Sequence, residues 1–324
     1  MTGTIVRTSN ALLSGSSWLI SSITRKPVIS GMPAAVSFEL TNHCNLKCPE
    51  CSSGSGLMKR ERGFMDPLLF EKTVAELRPY LYYISLYFQG EPMMHRDFFS
   101  FISLSGNTST VVSTNGHFLT EENSERLVAS GLKRLIISLD GMDQEVYAKY
   151  RKNGDLGKVI EGITNVSAAR DRFKSKMKLE LQFLVNRHNE HQIREAESFA
   201  RAMNAQLKLK SMQVINVQDS WKWMPSAMEY ARYEKTGGNY AIRNSMPSGC
   251  LRLWLNPVIT WDGKVLPCCF DKDAEFIMGD LTKDSFRTIW NNTEYTEFRK
   301  RVLSGRKSVS ICRNCTSGMR GIRY

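Results

Sequence analysis

The sequence predicts an α/β protein: a partial (β/α)6 TIM-like barrel followed by a small, cysteine-rich α+β extension. Three observations predict it. Six apolar runs alternate with helical patterns between residue 35 and about residue 214. Three short tetrapeptides, each bearing a glycine, close three of those runs. Eight cysteines fall into two groups, Cys44, Cys48 and Cys51, then Cys250, Cys268, Cys269, Cys312 and Cys315.

The strand-like runs are Ala35–Leu40, Ile84–Phe88, Thr110–Ser113, Arg134–Leu139, Leu179–Val185 and Leu207–Val214. They are rich in Val, Ile, Leu, Phe and Tyr, which suits strands buried on both faces. Between them lie helical patterns at Pro67–Tyr80, Arg96–Ser105, Glu121–Ser130, Lys158–Phe173 and Ile193–Met203. In the first of these Leu68, Leu69, Val74 and Leu77 recur at near-helical spacing, and Asp66 with Pro67 reads as a cap followed by an N1 proline. Strand and helix in alternation imply a parallel sheet with crossover helices, curled into a partial barrel. A complete eight-fold barrel needs about 250 residues, more than this segment offers.

From Gln218 to Ser248 sustained periodicity fails, so residues 216–248 read as a linker that covers the barrel mouth. The chain then divides into an N-terminal arm or helix (1–34), the barrel (35–215), the linker and a cysteine-rich domain (249–324). Within the last, Val258–Trp261 and Lys264–Pro267 form a hairpin about the Asp262-Gly263 turn. A helix follows, roughly Ser285 to Leu303, capped from Thr282 or Ser285.

Composition is that of a folded chain with a real core: 324 residues, 42% hydrophobic and 23% charged, which excludes a wholly disordered protein. No apolar run reaches the roughly 20 residues that cross a bilayer. The nearest, Ala11–Ile23, is short and broken by Gly15 and five serines. It lacks a cleavage site, so it reads as an amphipathic helix or arm packed on the fold rather than a signal peptide, with a peripheral membrane anchor the alternative, and the expected compartment is the cytoplasm. The net charge is +12, of which two bound iron-sulfur clusters would remove about three. Basic groups cluster at Lys59-Arg60-Glu61-Arg62, 170–178 and 299–307 and read as solvated faces. No nucleic-acid module is recognisable, and no nucleic-acid partner is expected.

Clustered cysteines without a secretory signal point to metal ligands rather than disulfides. The first group stands in Thr41-Asn42-His43-Cys44-Asn45-Leu46-Lys47-Cys48-Pro49-Glu50-Cys51, a CxxxCxxC spacing directly after the first strand. Three thiolates on a short loop can hold three corners of a cubane cluster and leave one iron open. Structural zinc is the competing reading and needs a fourth ligand, for which His43 is near in sequence.

Gln89-Gly90-Glu91-Pro92 closes the second strand, Ser113-Thr114-Asn115-Gly116 the third and Ser138-Leu139-Asp140-Gly141 the fourth. Each falls at the carboxyl end of a strand, the end at which barrel active sites assemble. With the cysteines, these elements resemble the radical S-adenosylmethionine (SAM) superfamily over the whole barrel segment. The resemblance implies a 4Fe-4S cluster on Cys44, Cys48 and Cys51. It implies SAM contacts from Gln89, Gly90, Glu91, Pro92, Ser113, Asn115, Ser138 and Asp140, and from Arg151, which follows Tyr147 and Tyr150. One departure stands out. The family usually carries an aromatic residue just before the third cysteine, where it touches adenine, and this chain has Glu50. The resemblance therefore carries no adenine contact to that position.

The tail, with Cys250-Leu251-Arg252-Leu253-Trp254, then Pro267-Cys268-Cys269-Phe270-Asp271, then Cys312-Arg313-Asn314-Cys315, resembles the SPASM or twitch extension of the same superfamily. Gly279-Asp280 and Ile289-Trp290 fall where that extension has its glycine and helix signals. Four of the five cysteines would saturate a second, auxiliary 4Fe-4S cluster: Cys250, Cys268, Cys312 and Cys315, with Cys269 the alternative to Cys268. A zinc ribbon is the competing assignment.

By that resemblance the chain cleaves SAM reductively and uses the 5′-deoxyadenosyl radical to take a hydrogen atom from substrate, with electrons from a donor such as flavodoxin or ferredoxin. The substrate expected is a peptide or protein undergoing oxidative modification. A small-molecule dehydrogenase, acting on a sugar or alcohol, is the alternative, and a non-catalytic metal or electron-carrier module is the reading from another class. His95, His117, His188 and His191 have no motif partners and read as packing or surface residues, as do Trp221, Trp223 and Tyr230.

Overall fold

A computed structural model describes residues 3–244 and 246–317 of the chain. The β-branched and aromatic runs become strands β1 (Ala35–Phe38), β2 (Tyr83–Ser85), β3 (Ser109–Thr114), β4 (Arg134–Ser138), β5 (Lys178–Val185) and β6 (Gln206–Ser211). Further on come β7 (Tyr233–Thr236), β8 (Asn239–Ile242), β9 (Val258–Ile259), β10 (Lys264–Leu266) and β11 (Gly279–Asp280). The strands of the barrel segment pair in parallel and alternate with helices, the partial TIM-like barrel architecture. The described residues fall into two units, one of 3–43, 59–110 and 246–317, the other of 44–58 and 111–244.

In the first unit β1 lies between β2 and β9, parallel to both, with Ala35 opposite Tyr83 and Phe38 opposite Ile259. β10 then runs antiparallel to β9 and to β11. The C-terminal hairpin thus adds its strands directly to β1. Helix Pro67–Leu77 starts where its sequence dictates: Asp66 accepts from the Leu68 N–H, and Pro67 occupies N1. Its buried residues Phe70, Thr73, Val74 and Leu77 keep helical spacing. Phe70 meets Phe38 and Phe101 edge-on, with ring centroids 4.6 and 4.9 Å apart.

The expected helix from Ser285 to Leu303 is two helices, Phe286–Trp290 and Thr293–Ser304. Asn292 breaks it. Its Oδ1 accepts from the Tyr295 N–H at 2.8 Å, capping a new helix, while its Nδ2 donates to Met278 O at 2.7 Å. Arg299, fully buried, lies against the Trp290 and Tyr295 rings at 4.2 and 3.9 Å from their centroids.

The N-terminal helix spans Gly3–Thr24, longer than the sequence reading, and its amphipathicity is inverted. Its buried residues are Asn10, Ser14, Ser17 and Ser21. They hold an extended segment as a strand edge would. Asn10 exchanges two hydrogen bonds with the Met32 backbone, Ser14 Oγ donates to Met32 O at 2.7 Å, and the N–H groups of Ser30 and Val28 donate to Ser17 and Ser21 Oγ. Gly31 permits the approach, since a Cβ there would sit 2.4 Å from Ser14 Oγ. On the same segment, Trp254 and Trp290 donate their indole N–H groups to Val28 O and Gly31 O, each at 2.9 Å.

In the second unit β4 to β6 pair in parallel order, joined on one side by β3 from Val111 onward. Helices Glu121–Ala129, Leu156–Arg172 and Ile193–Ala202 follow the expected segments, and Gln144–Tyr150 is a helix that periodicity missed. The segment read as a featureless linker holds a short 3₁₀ helix, Val217–Lys222, and the β7–β8 hairpin. Gly237 and Gly238 turn that hairpin with φ of 58° and 87°, the two positive values a tight hairpin turn requires. Residues 318–324 of the expected C-terminal domain lie outside the described residues.

Candidate cofactor centres

In the second unit, the loop after residue 43 carries the first three cysteines. The Cys51 N–H donates to Cys48 O at 3.3 Å, and Cys51 O receives the N–H groups of Gly54 and Ser55. A Cβ on Gly54 would come within 2.6 Å of the Cys48 nitrogen, so the turn closes tightly over Cys48. Cys48 is buried, while Cys44 and Cys51 are partly exposed. Burial pushes the Cys48 thiol up, and the Arg151 guanidinium opposes the shift.

Two other polar groups, one from a strand end and one from a helix end, reach this loop. Asn115, just past β3, donates to Asn45 Oδ1 at 2.7 Å and approaches Cys44 Sγ at 3.9 Å. Arg151 ends helix Gln144–Tyr150. Its Nε bonds Asp140 Oδ2 at 2.6 Å, and a terminal nitrogen lies 3.8 Å from Cys48 Sγ. Asp140, past β4, is fully buried and also accepts the Leu184 N–H at 2.6 Å. The structure thus brings together Cys48, Arg151 and Asp140. Ser113 and Ser138 sit at the carboxyl ends of their strands, opposite Ile136 and Gln182 in register.

Glu50 has a role that motif reading missed: its carboxylate accepts from Trp223 Nε1 and from the Ile215 N–H. The isolated signal was a carboxylate where the resemblance expects an aromatic ring.

In the first unit, the Gln89-Gly90-Glu91-Pro92 turn packs on the end of β1. Gly90 has φ of 75°, and a Cβ there would lie 2.5 Å from Thr41 O and 2.6 Å from His43 O. The Glu91 N–H donates to His43 O at 2.8 Å, and its buried carboxylate caps Met93 N. Gln89 Oε1 is buried with no protein partner, the state of an acceptor awaiting a ligand's donor. His43, weighed as a zinc ligand, stacks its ring on Phe64 at 4.8 Å.

The second cysteine set is also in the first unit. Cys312 and Cys315 close a turn, with the Cys315 N–H donating to Cys312 O at 3.0 Å. Burial, then the neighbouring thiols of Cys269, Cys250 and Cys315, raises Cys268 far above the usual thiol range, and burial pushes Cys315 up to about 11. Two cations attend them. Arg252 approaches Cys269 Sγ at 3.2 Å, and buried Arg306 approaches Cys315 Sγ at 3.2 Å.

Among the described residues no three His, Cys, Asp or Glu side chains converge on a single-ion site. A cubane cluster binds each thiolate through a different iron, so its ligands need no common point. Soft thiolates backed by cations, a glycine-lined turn and an orphaned acceptor fit a sulfur-ligated cluster and a small polar ligand. The fold and these sites define a barrel enzyme that works through thiolate-bound iron-sulfur chemistry.

Comparison with known proteins agrees. Residues 38–196 match the radical SAM superfamily, and residues 250–316 match SPASM, an iron-sulfur cluster-binding domain. The chain belongs to the radical SAM superfamily and carries a C-terminal SPASM domain. It is 26% identical over 311 residues to mycofactocin maturase MftC of Mycobacterium ulcerans, covering 87% of this chain and 80% of the relative. It is 24% identical over 289 residues to the S-adenosyl-L-methionine-dependent 2-deoxy-scyllo-inosamine dehydrogenase of Niallia circulans, covering 87% and 92%. Its fold resembles Streptococcus suis SuiB bound to S-adenosylmethionine, with a TM-score of 0.64, 14% identity and coverage of 90% and 74%. It also resembles BtrN in complex with AdoMet and 2-DOIA, with a TM-score of 0.57, 19% identity and coverage of 91% and 98%. No helix among the described residues is long and apolar enough to cross a membrane.

Proposed function

We propose that this radical SAM enzyme performs a two-electron oxidation of a peptide or protein substrate. The observation that carries the oxidative outcome is the C-terminal cysteine set, with Arg252 against Cys269 and Arg306 against Cys315, in a segment that matches an iron-sulfur cluster-binding domain. Four of them, Cys250, Cys268, Cys312 and Cys315, give an auxiliary 4Fe-4S cluster a full set of protein ligands, with Cys269 standing beside Arg252 as the alternative to Cys268. A first cluster with SAM held on these sites would supply hydrogen-atom abstraction, and a saturated auxiliary cluster would supply an acceptor for the second electron.

The chain's own residues do the rest. Cys44, Cys48 and Cys51 hold the first cluster. Gln89 Oε1, the Gly90 turn and Glu91 would receive the ammonium of the SAM methionine moiety, and Arg151, steadied by Asp140, would pair with its carboxylate. Asn115, Ser113 and Ser138 line the same strand ends. A reducing protein such as flavodoxin or ferredoxin delivers the electron, and eight cysteines with no disulfide among them suit the cytoplasm.

The likeness to MftC, whose name marks it as a maturase, supports a peptide substrate. The second reading, a small-molecule dehydrogenase, is favoured by the 92% coverage of the inosamine dehydrogenase. Reconstituted anaerobically, the enzyme should hold about eight irons and release 5′-deoxyadenosine and methionine on reduction. Offered short peptides encoded beside its gene, it should yield a product lighter by two hydrogens. Replacing Cys268, Cys312 and Cys315 together should leave about four irons and stop that product. Product formation that persists in this variant sinks the auxiliary role; conversion of a sugar alcohol instead of any peptide establishes the second reading.

A further inference from the structure

The N-terminal helix turns its leucines and isoleucines outward. Ile5, Leu12, Leu13, Leu19, Ile20 and Ile23 are between 46% and 73% exposed. At about 100° per residue they form a stripe about 120° wide, opposite the buried Asn10, Ser14, Ser17 and Ser21. The helix cannot roll to hide them. Its polar face is fixed to Val28, Ser30 and Met32 by hydrogen bonds through alternate residues of the extended segment. Contiguous exposed apolar surface of this kind marks a docking face.

Charge selects the occupant. Between Gly3 and Lys26 the cations are Arg7, Arg25 and Lys26, and there is no Asp or Glu. Arg25 and Lys26 are exposed beside Ile23, the most exposed of the six. Arg7 is half-buried on the serine face, and a second copy of the helix laid parallel on the stripe would bring Arg25 and Lys26 upon themselves. An anionic bilayer brings phosphate to the same cations and an apolar interior to the stripe, the two attractions that hold an in-plane helix. The chain's net charge of +12 adds to the attraction.

We infer that the Gly3–Thr24 helix docks the enzyme on an anionic lipid surface, lying in its plane with the Leu12–Leu19–Ile23 stripe inserted among the acyl chains. The test is co-sedimentation of the reconstituted enzyme with vesicles of phosphatidylcholine alone or with phosphatidylglycerol added, together with size-exclusion chromatography. The enzyme should pellet with the anionic vesicles, at least tenfold more than with neutral ones, and less at high salt. Leu12→Glu with Leu19→Glu should remove the binding at least tenfold and leave iron content and SAM cleavage unchanged, since both side chains face solvent. Equal binding to neutral vesicles overturns the role of the cations. A dimer that the double variant dissolves, without vesicle binding, assigns the stripe to a second copy and overturns the proposal. A monomer that ignores both vesicles overturns it too and leaves the stripe to a protein partner.

Discussion

Glu50 Oε1 accepts a hydrogen bond from the Trp223 indole N–H at 2.9 Å, while Oε2 accepts the Ile215 N–H at 2.7 Å. A residue adjacent to Cys51 thus fastens the segment after β6 onto the cysteine loop. The Trp223 ring stands edge-on to Tyr150 and His188, at 5.5 and 5.4 Å between centroids. Where an aromatic ring is expected in the loop, a carboxylate recruits one from elsewhere in the chain.

Glu50→Ala should therefore loosen that segment. Each hydrogen bond to a charged group contributes about 1.5–3 kcal/mol, and losing both should speed hydrogen exchange at Ile215 and Trp223. Glu50→Gln keeps one acceptor oxygen and should give roughly half the effect. Unchanged exchange in the alanine variant would show that the tie holds nothing.

Asp140 and Arg151 form a buried pair, with side chains 0% and 14% exposed. Removing one partner of such a pair costs about 3–5 kcal/mol, because the other charge stays buried. Arg151→Gln and Asp140→Asn should each lower the melting temperature strongly. Combined, they should cost less than their sum by more than about 1 kcal/mol. Strict additivity in that cycle would contradict the pairing.

Gly90 and Gly131 offer a matched test of backbone demand. Both have positive φ, 75° and 80°, but a Cβ at Gly131 meets nothing within 4 Å. Gly131→Ala should cost about 1 kcal/mol, the left-handed strain alone. Gly90→Ala adds overlap with the Thr41 and His43 carbonyls and should cost about 3 kcal/mol or more. Denaturant titration of the two variants side by side reads the difference.

Asp280 gives the acid limb of stability a local cause. Burial alone would raise its carboxyl, but hydrogen bonds from Lys264 and Thr282 prevail and hold it at about 2. The folded-state value lies below the unfolded one of about 3.9. Its contribution is therefore complete above pH 4 and is lost as pH falls through 2, about 2 kcal/mol in all. Asp280→Asn should remove that contribution at pH 7 and flatten the stability profile between pH 4 and 2, as read by urea midpoints.

Much of this was legible because the chemistry is spelled in contiguous residues. CxxxCxxC, the Gly-Glu-Pro turn and the Asp140-Gly141 turn each state a local geometry, and strand composition placed them at strand ends. What escaped depends on distant partners or on competition. Nothing near Glu50 names Trp223. The helix break at Asn292 follows from a side chain that bonds Met278 across space. The β7–β8 hairpin was written in Gly237-Gly238, a signal hidden because β7 and β8 are short and half-exposed. Periodicity found the N-terminal helix but not the face it buries, which is the reverse of the usual one, since serines bury well when a neighbouring backbone needs donors and acceptors.

That reversal has a consequence for how the helix tolerates change. In most helices of a globular protein the aliphatic positions resist substitution and the serines drift. Here a random library scored only for soluble expression should accept almost anything at Leu12, Leu19 and Ile23, and almost nothing at Ser14 and Ser17. Any constraint found at the leucines would have to come from outside the chain.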